Sequence, residues 1–197
     1  MNSKRLALVA VFAALAIVLS PGISRISIPS PFFGLPYQIW EIPIFVAFLL
    51  FGPKFGLFVA AVGSAVLVAF QPTFIAVSGV LACFAMLTGF LLAYNLVVRS
   101  ALPQNLWPSR RKTVIAMTAG GIIFRTWVMA VQNYFLLPFA VPMPQSELIG
   151  VVIPIVALFN ITEPLYVIPA SYFLARGIGS RLKMGTKSDT MPTCPER

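Results

Sequence analysis

Asn160, Thr162 and Glu163, followed at once by Pro164, form a polar island, Ala157–Tyr166, inside the apolar stretch Leu148–Leu174. That stretch can cross a bilayer on hydropathy alone. An ionisable side chain at such depth costs about 2.5–3.5 kcal/mol on insertion scales unless it faces a cavity or a partner. Pro164 has no N–H to donate, and its ring displaces the carbonyl four residues back, that of Asn160. One position therefore offers a side-chain amide and a freed backbone oxygen, a suitable wall for a polar ligand. The plainer alternative is a kinked helix whose polar groups are satisfied by neighbouring helices.

A second set of polar residues interrupts the preceding apolar stretch. At 1.5 Å per residue, Arg125 lies about 18 Å above the start of its span at Thr113. Glu163 lies about 20 Å above Arg176 at the end of the next span. Matched in depth on antiparallel neighbours, Arg125 and Glu163 are expected to form an intramembrane ion pair, because either charge alone is costly. Gln132 and Asn133 sit nearer the outer end, with Gln132 on the face of Arg125. With Asn160 they would line an outward pocket, capped by Tyr37, Trp40 and Glu41. Amides for hydrogen bonds and aromatics for stacking suit a planar, polar organic molecule.

The positions of these residues follow from the class of the chain. Its 197 residues are 59% hydrophobic and 10% charged, against about a quarter charged in soluble domains. The mean hydropathy is +0.93. This composition describes an all-α integral membrane protein. The net charge of +9 does not mark a nucleic-acid binder, because the basic residues are not gathered on one soluble face. The absence of His removes the usual general base and the commonest metal ligand. Cys83, in an apolar span, and Cys194, in the C-terminal tail, have neither disulfide nor metal-ligand logic. No Walker-type glycine loop is present, so the chain does not hydrolyse nucleotide by itself. No cofactor is expected.

Six apolar runs follow in order: Leu6–Leu19, Ile42–Phe51, Phe55–Phe70, Phe74–Val98, Thr113–Leu137 and Leu148–Leu174. The first is short for a roughly 30 Å hydrocarbon core, and its basic start also fits a signal peptide. Ser20–Ile39, rich in Pro, Ser, Gly and aromatics, reads as an ordered outer loop between the first two helices. Its alternative is an interfacial tether. Pro138–Glu147 reads as a loop. The expected organisation is a six-helix membrane domain over 1–176 and a basic, disordered cytoplasmic tail over 177–197.

Placing both termini inside puts Lys4, Arg5, Lys54, Arg99, Arg110, Arg111, Lys112, Arg176, Arg181, Lys183, Lys187 and Arg197 on the cytoplasmic side. The outer loops then receive only Arg25, as the positive-inside rule requires. Ala7, Ala10 and Ala14 share one face of the first helix, a stripe that admits close approach of another helix. Internal packing is the favoured reading of that stripe.

The stretch Trp40–Gly56, WEIPIFVAFLLFGPKFG, resembles the second-span signature of substrate-binding S components of energy-coupling factor (ECF) vitamin transporters. Ala10-x-x-x-Ala14 resembles that family's motif for packing on the transmembrane coupling subunit. Gln132-Asn133-Tyr134-Phe135 with Pro138, and Phe159-Asn160, resemble the riboflavin-binding branch, and the likeness runs in order along nearly the whole chain. It implies that Asn133 and Asn160 hydrogen-bond the ligand and that the first loop is a lid. It also implies a plasma-membrane complex with an ECF coupling protein and two cytoplasmic ATPases, taking up riboflavin or a related flavin. One position departs: Glu163 stands where the branch typically has Lys. This changes the ring-edge chemistry offered and keeps open another vitamin or a nucleobase-like precursor.

An intramembrane enzyme would need a general base and usually an acidic metal cluster. Such a cluster would have to draw on Glu41 and Glu163, and the counted depths separate them by much of a bilayer half. A channel or scaffold would need polar residues along a continuous path, whereas those here stop above the cytoplasmic half.

Overall fold

A computed structural model describes residues 3–21, 23–24, 27–31, 37–101, 111–140 and 144–181. Each apolar run becomes a helix: α1 (Ser3–Val18), α2 (Glu41–Phe51), α3 (Pro53–Phe70), α4 (Phe74–Ala101), α5 (Arg111–Ala140) and α7 (Ile153–Arg181). A single turn, α6 (Gln145–Glu147), and a π-helical turn, Leu148–Val152, lead into α7. Between α1 and α2 lies a two-residue antiparallel pair, β1 (Ser27–Ile28) with β2 (Tyr37–Gln38), in the register Ser27↔Gln38. In the same loop, Gly22, Arg25, Phe32, Phe33, Gly34 and Pro36 lie outside the described residues, as do Arg110, Cys194 and the tail charges Lys183, Lys187 and Arg197.

Four helical stretches are long and apolar enough to cross a membrane: Pro53–Phe70, Phe74–Leu96, Lys112–Phe139 and Leu148–Arg181. Two apolar helices are shorter, Leu6–Val18 and Glu41–Phe51. At 1.5 Å per residue α2 is about 16 Å long, half of a hydrocarbon core. Its C-terminus is set by Gly52, whose φ of +94° favours glycine and whose N–H returns to the Phe48 carbonyl at 2.9 Å. Pro53 then opens α3, where a missing N–H costs nothing. The chain reverses within one residue, and α2 and α3 pack as a hairpin.

The bundle is closed on the other side by α4 against α5. A Cβ on Gly89 would stand 2.2 Å from the Gly120 carbonyl oxygen, so the two backbones meet at their glycines. Phe90 from α4 anchors the apolar centre, edge-to-face with Phe45 at 5.3 Å and Phe48 at 5.1 Å. Bulky apolar residues also point outward, among them Leu96, Ile115, Ile123 and Phe139, as lipid-facing surfaces require.

Three expectations change. Pro138 does not start a loop: α5 runs through it to Ala140, because a proline in the last turn removes one hydrogen bond without breaking those before it. The sixth helix continues through Arg181, beyond the point where the tail was expected to begin. The Ala7, Ala10 and Ala14 stripe is exposed, while Val9, Phe12, Ala13 and Ala16 turn inward. The stripe therefore does not pack internally.

Candidate functional site

The charged residues meet at one buried point. Arg125, midway along α5, donates through Nη1 to both oxygens of Glu41 at 3.1 and 3.0 Å. Nη2 pairs with Glu163 Oε2 on α7, and Nε donates to Asn160 Oδ1 at 3.0 Å. Met86 Sδ on α4 lies 3.9 Å from Nη1. Four helices thus converge on one guanidinium whose planar fork matches carboxylate geometry. Glu41, Arg125, Asn160 and Glu163 are 1%, 3%, 2% and 2% exposed, so this is an interior ion cluster and not a surface pair.

The Arg125–Glu163 pair follows the depths counted along the chain. The separation expected between Glu41 and Glu163 does not hold. That count placed the start of α2 near the outer surface, as for a full-length span. A half-length helix tied to α3 at Gly52 starts deep in the bundle, and Glu41 in its first turn enters the interior.

Asn160 is bound from both sides, because its Nδ2 also donates to the Val156 carbonyl at 2.8 Å. For Asn160 and Glu163 the plainer expectation, polar groups satisfied by neighbouring helices, describes the geometry. Gln132 and Asn133 are different. Gln132 Nε2 donates to Ser78 Oγ on α4 at 2.5 Å, so Gln132 reaches α4 while Arg125 on the same helix face reaches α2 and α7. Gln132 Oε1 is buried with no hydrogen-bond partner among the described residues. Asn133 is 4% exposed, and no side-chain hydrogen bond holds it among the described residues. A buried unpaired amide oxygen such as that of Gln132 costs about 1–3 kcal/mol, and Gln132 and Asn133 both lie on the outer part of α5.

The loop residues split in role. Tyr37, in β2, stacks on Phe159 with ring centroids 5.4 Å apart and planes 10° off parallel, and meets Tyr166 edge-on at 5.4 Å. Its hydroxyl donates to Thr162 Oγ1 at 2.8 Å, and Tyr166 donates to the Gln38 carbonyl at 2.7 Å. The strand pair is thereby fastened over the polar island of α7. Trp40 is fully buried, with Nε1 donating to Gln38 Oε1 at 2.7 Å and its ring close to Gly63 of α3. It supports the loop from below instead of facing a pocket mouth.

Sequence reasoning passed over Tyr166, Ser78 and Met86 as site residues. Tyr166 was findable, since it is three residues after Glu163 and shares its helix face. Nothing in the spacing of α4 signals Ser78 or Met86. Among the described residues no group of three or more His, Cys, Asp or Glu gathers, and the two acids of the cluster are arranged around an arginine.

The comparisons with known proteins agree with this architecture. The family model for the ECF transporter substrate-specific component matches residues 4–175. No curated protein matches the chain. A solved bacterial structure, described as "Structure and mechanism of the S component of a bacterial ECF transporter", aligns with a TM-score of 0.68 and 25% identity, covering 93% of this chain and 99% of that one.

Proposed function

The chain belongs to the family of ECF transporter substrate-specific components, and from that premise we propose that it captures a vitamin from outside the cell. Members of this family are substrate-binding subunits of a transporter and not enzymes. The observation that carries the reading is the pair of under-bonded amides on the outer part of the helix that holds Arg125: Gln132, whose Oε1 is buried without a partner among the described residues, and Asn133, 4% exposed with no side-chain hydrogen bond among them. A stable fold seldom leaves such groups unpaired, and a ligand that bonds them gains what the free protein lacks.

In this reading six helices span the plasma membrane with both termini inside, over residues 1–176, with a cytoplasmic tail beyond. The ligand lies between Asn133, Gln132 and the Tyr37-covered face of α7. Asn160, Glu163, Arg125 and Glu41 form the floor, and Trp40 supports the rim. The exposed Ala10 and Ala14 stripe receives the ECF coupling protein, and two cytoplasmic ATPases supply the energy. Asn133 and Asn160, which resemble the riboflavin branch, make riboflavin or a related flavin the first candidate. Glu163, a carboxylate where that branch has Lys, favours a second candidate: another vitamin or a nucleobase-like precursor.

An absorption spectrum of gently purified protein separates the two. Flavin bands in the visible support the first ligand. A colourless preparation that releases a different heterocycle supports the second. Protein that yields no small molecule and binds no vitamin on titration contradicts capture altogether.

A further inference from the structure

The buried cluster does not balance. Glu41 and Glu163 bring two formal negative charges to a single guanidinium, so the ionised group carries one negative charge in excess. Among the described residues Lys54, Lys112, Arg176 and Arg181 are all exposed, and no second cation is buried beside the cluster. An uncompensated charge in a low-dielectric interior is costly, several kcal/mol even after relaxation. The interior therefore favours neutralisation, by a positive partner or by a proton.

We propose that the captured ligand carries a positive charge, as a heteroaromatic cation or a ring with a protonated amine, and that this charge completes the Glu41–Arg125–Glu163 cluster. The inference rests on the capture reading, and for the ligand it takes the second candidate, a vitamin other than a flavin. Three further observations support it. Arg125 spends Nε on Asn160, Nη1 on Glu41 and Nη2 on Glu163, so its fork is already occupied and has little to offer an anion. Glu163 lies on the stretch of α7 that is covered by Tyr37 and Gln38, which come from a two-residue strand pair. That cover is held by the Tyr37 ring contacts and two hydrogen bonds, less than ties the helix-borne cluster together, so it is the part that opens to a ligand. Tyr37 stacks on Phe159 and meets Tyr166 edge-on over this stretch, so displacing Tyr37 bares aromatic faces there, and such faces attract cations.

The test uses the full chain in detergent, equilibrated with an equimolar mixture of riboflavin, thiamine, pyridoxamine, nicotinate, biotin and pantothenate. Compounds retained after gel filtration are measured by mass spectrometry. A cationic member, thiamine or pyridoxamine, is expected to be retained about tenfold or more above neutral riboflavin. Glu163→Gln should reduce that retention about tenfold, and Glu163→Asp, which keeps the charge, should restore most of it. Comparable helix content and monodisperse elution of both variants show that the fold is intact; if Glu163→Gln does not fold, the wild-type ranking decides alone. Preferential retention of riboflavin or an anion overturns the inference and leaves capture standing. Cation retention unchanged in folded Glu163→Gln also overturns it, and means that a proton neutralises the pair. Retention of no compound by wild type overturns the capture reading itself.

Discussion

Arg125 ties three helices together through both oxygens of Glu41, one of Glu163 and the amide of Asn160. Replacing it strands two buried carboxylates. Arg125→Met should lower unfolding stability by about 3–5 kcal/mol, read as a fall in thermal midpoint in detergent. Asn133 should behave in the opposite way. Its amide lacks a side-chain hydrogen bond among the described residues, so Asn133→Ala should leave the thermal midpoint almost unchanged while weakening ligand binding about tenfold, measured by calorimetric titration. An Asn133→Ala protein with unchanged affinity would remove Asn133 from the site. Asn160→Ala lies between, since both ends of its amide are already bonded within the protein.

Helix α2 shows why depth counting succeeded for one ion pair and failed for another. Arg125 and Glu163 lie on long helices whose ends are marked by charge, so residue numbers convert directly to height. Glu41 starts a helix half as long, and its height is set by the Gly52 turn and the hairpin with α3, which no count from one end captures. Side-chain reach was likewise illegible: the period placed Arg125 and Gln132 on one face, but which neighbour each touches depends on how α4 and α7 pack. The α4–α5 crossing is an element-scale feature with its own consequence. Gly120→Val would drive a branched side chain into the Gly89 carbonyl and Ala93, forcing the helices apart. A loss of about 1–3 kcal/mol or more is expected, again as a lower thermal midpoint. The strand pair gives a second consequence. Tyr37→Ala removes the Phe159 stack and the Thr162 hydrogen bond, and should speed ligand dissociation about tenfold.

Across the whole molecule, composition, helix order and the polar island were legible because the bilayer penalises polar groups wherever they stand. The outward turn of Ala10 and Ala14 was not, since an alanine stripe reads alike whether its partner is internal or external. The exposed stripe separates binding from transport. Ala14→Trp should leave ligand affinity intact and abolish vitamin uptake by cells carrying the complete transporter; loss of both would place the defect in folding. The central claim is that this bundle holds a small organic molecule beside the Arg125 cluster. Its most direct measurement is denaturation of gently purified wild-type and Asn133→Ala protein, with mass spectrometry of what is released. One heterocyclic compound is expected, approaching one per chain in wild type and strongly depleted in the variant. Release of nothing from wild type, even after incubation with the vitamin mixture, would contradict it.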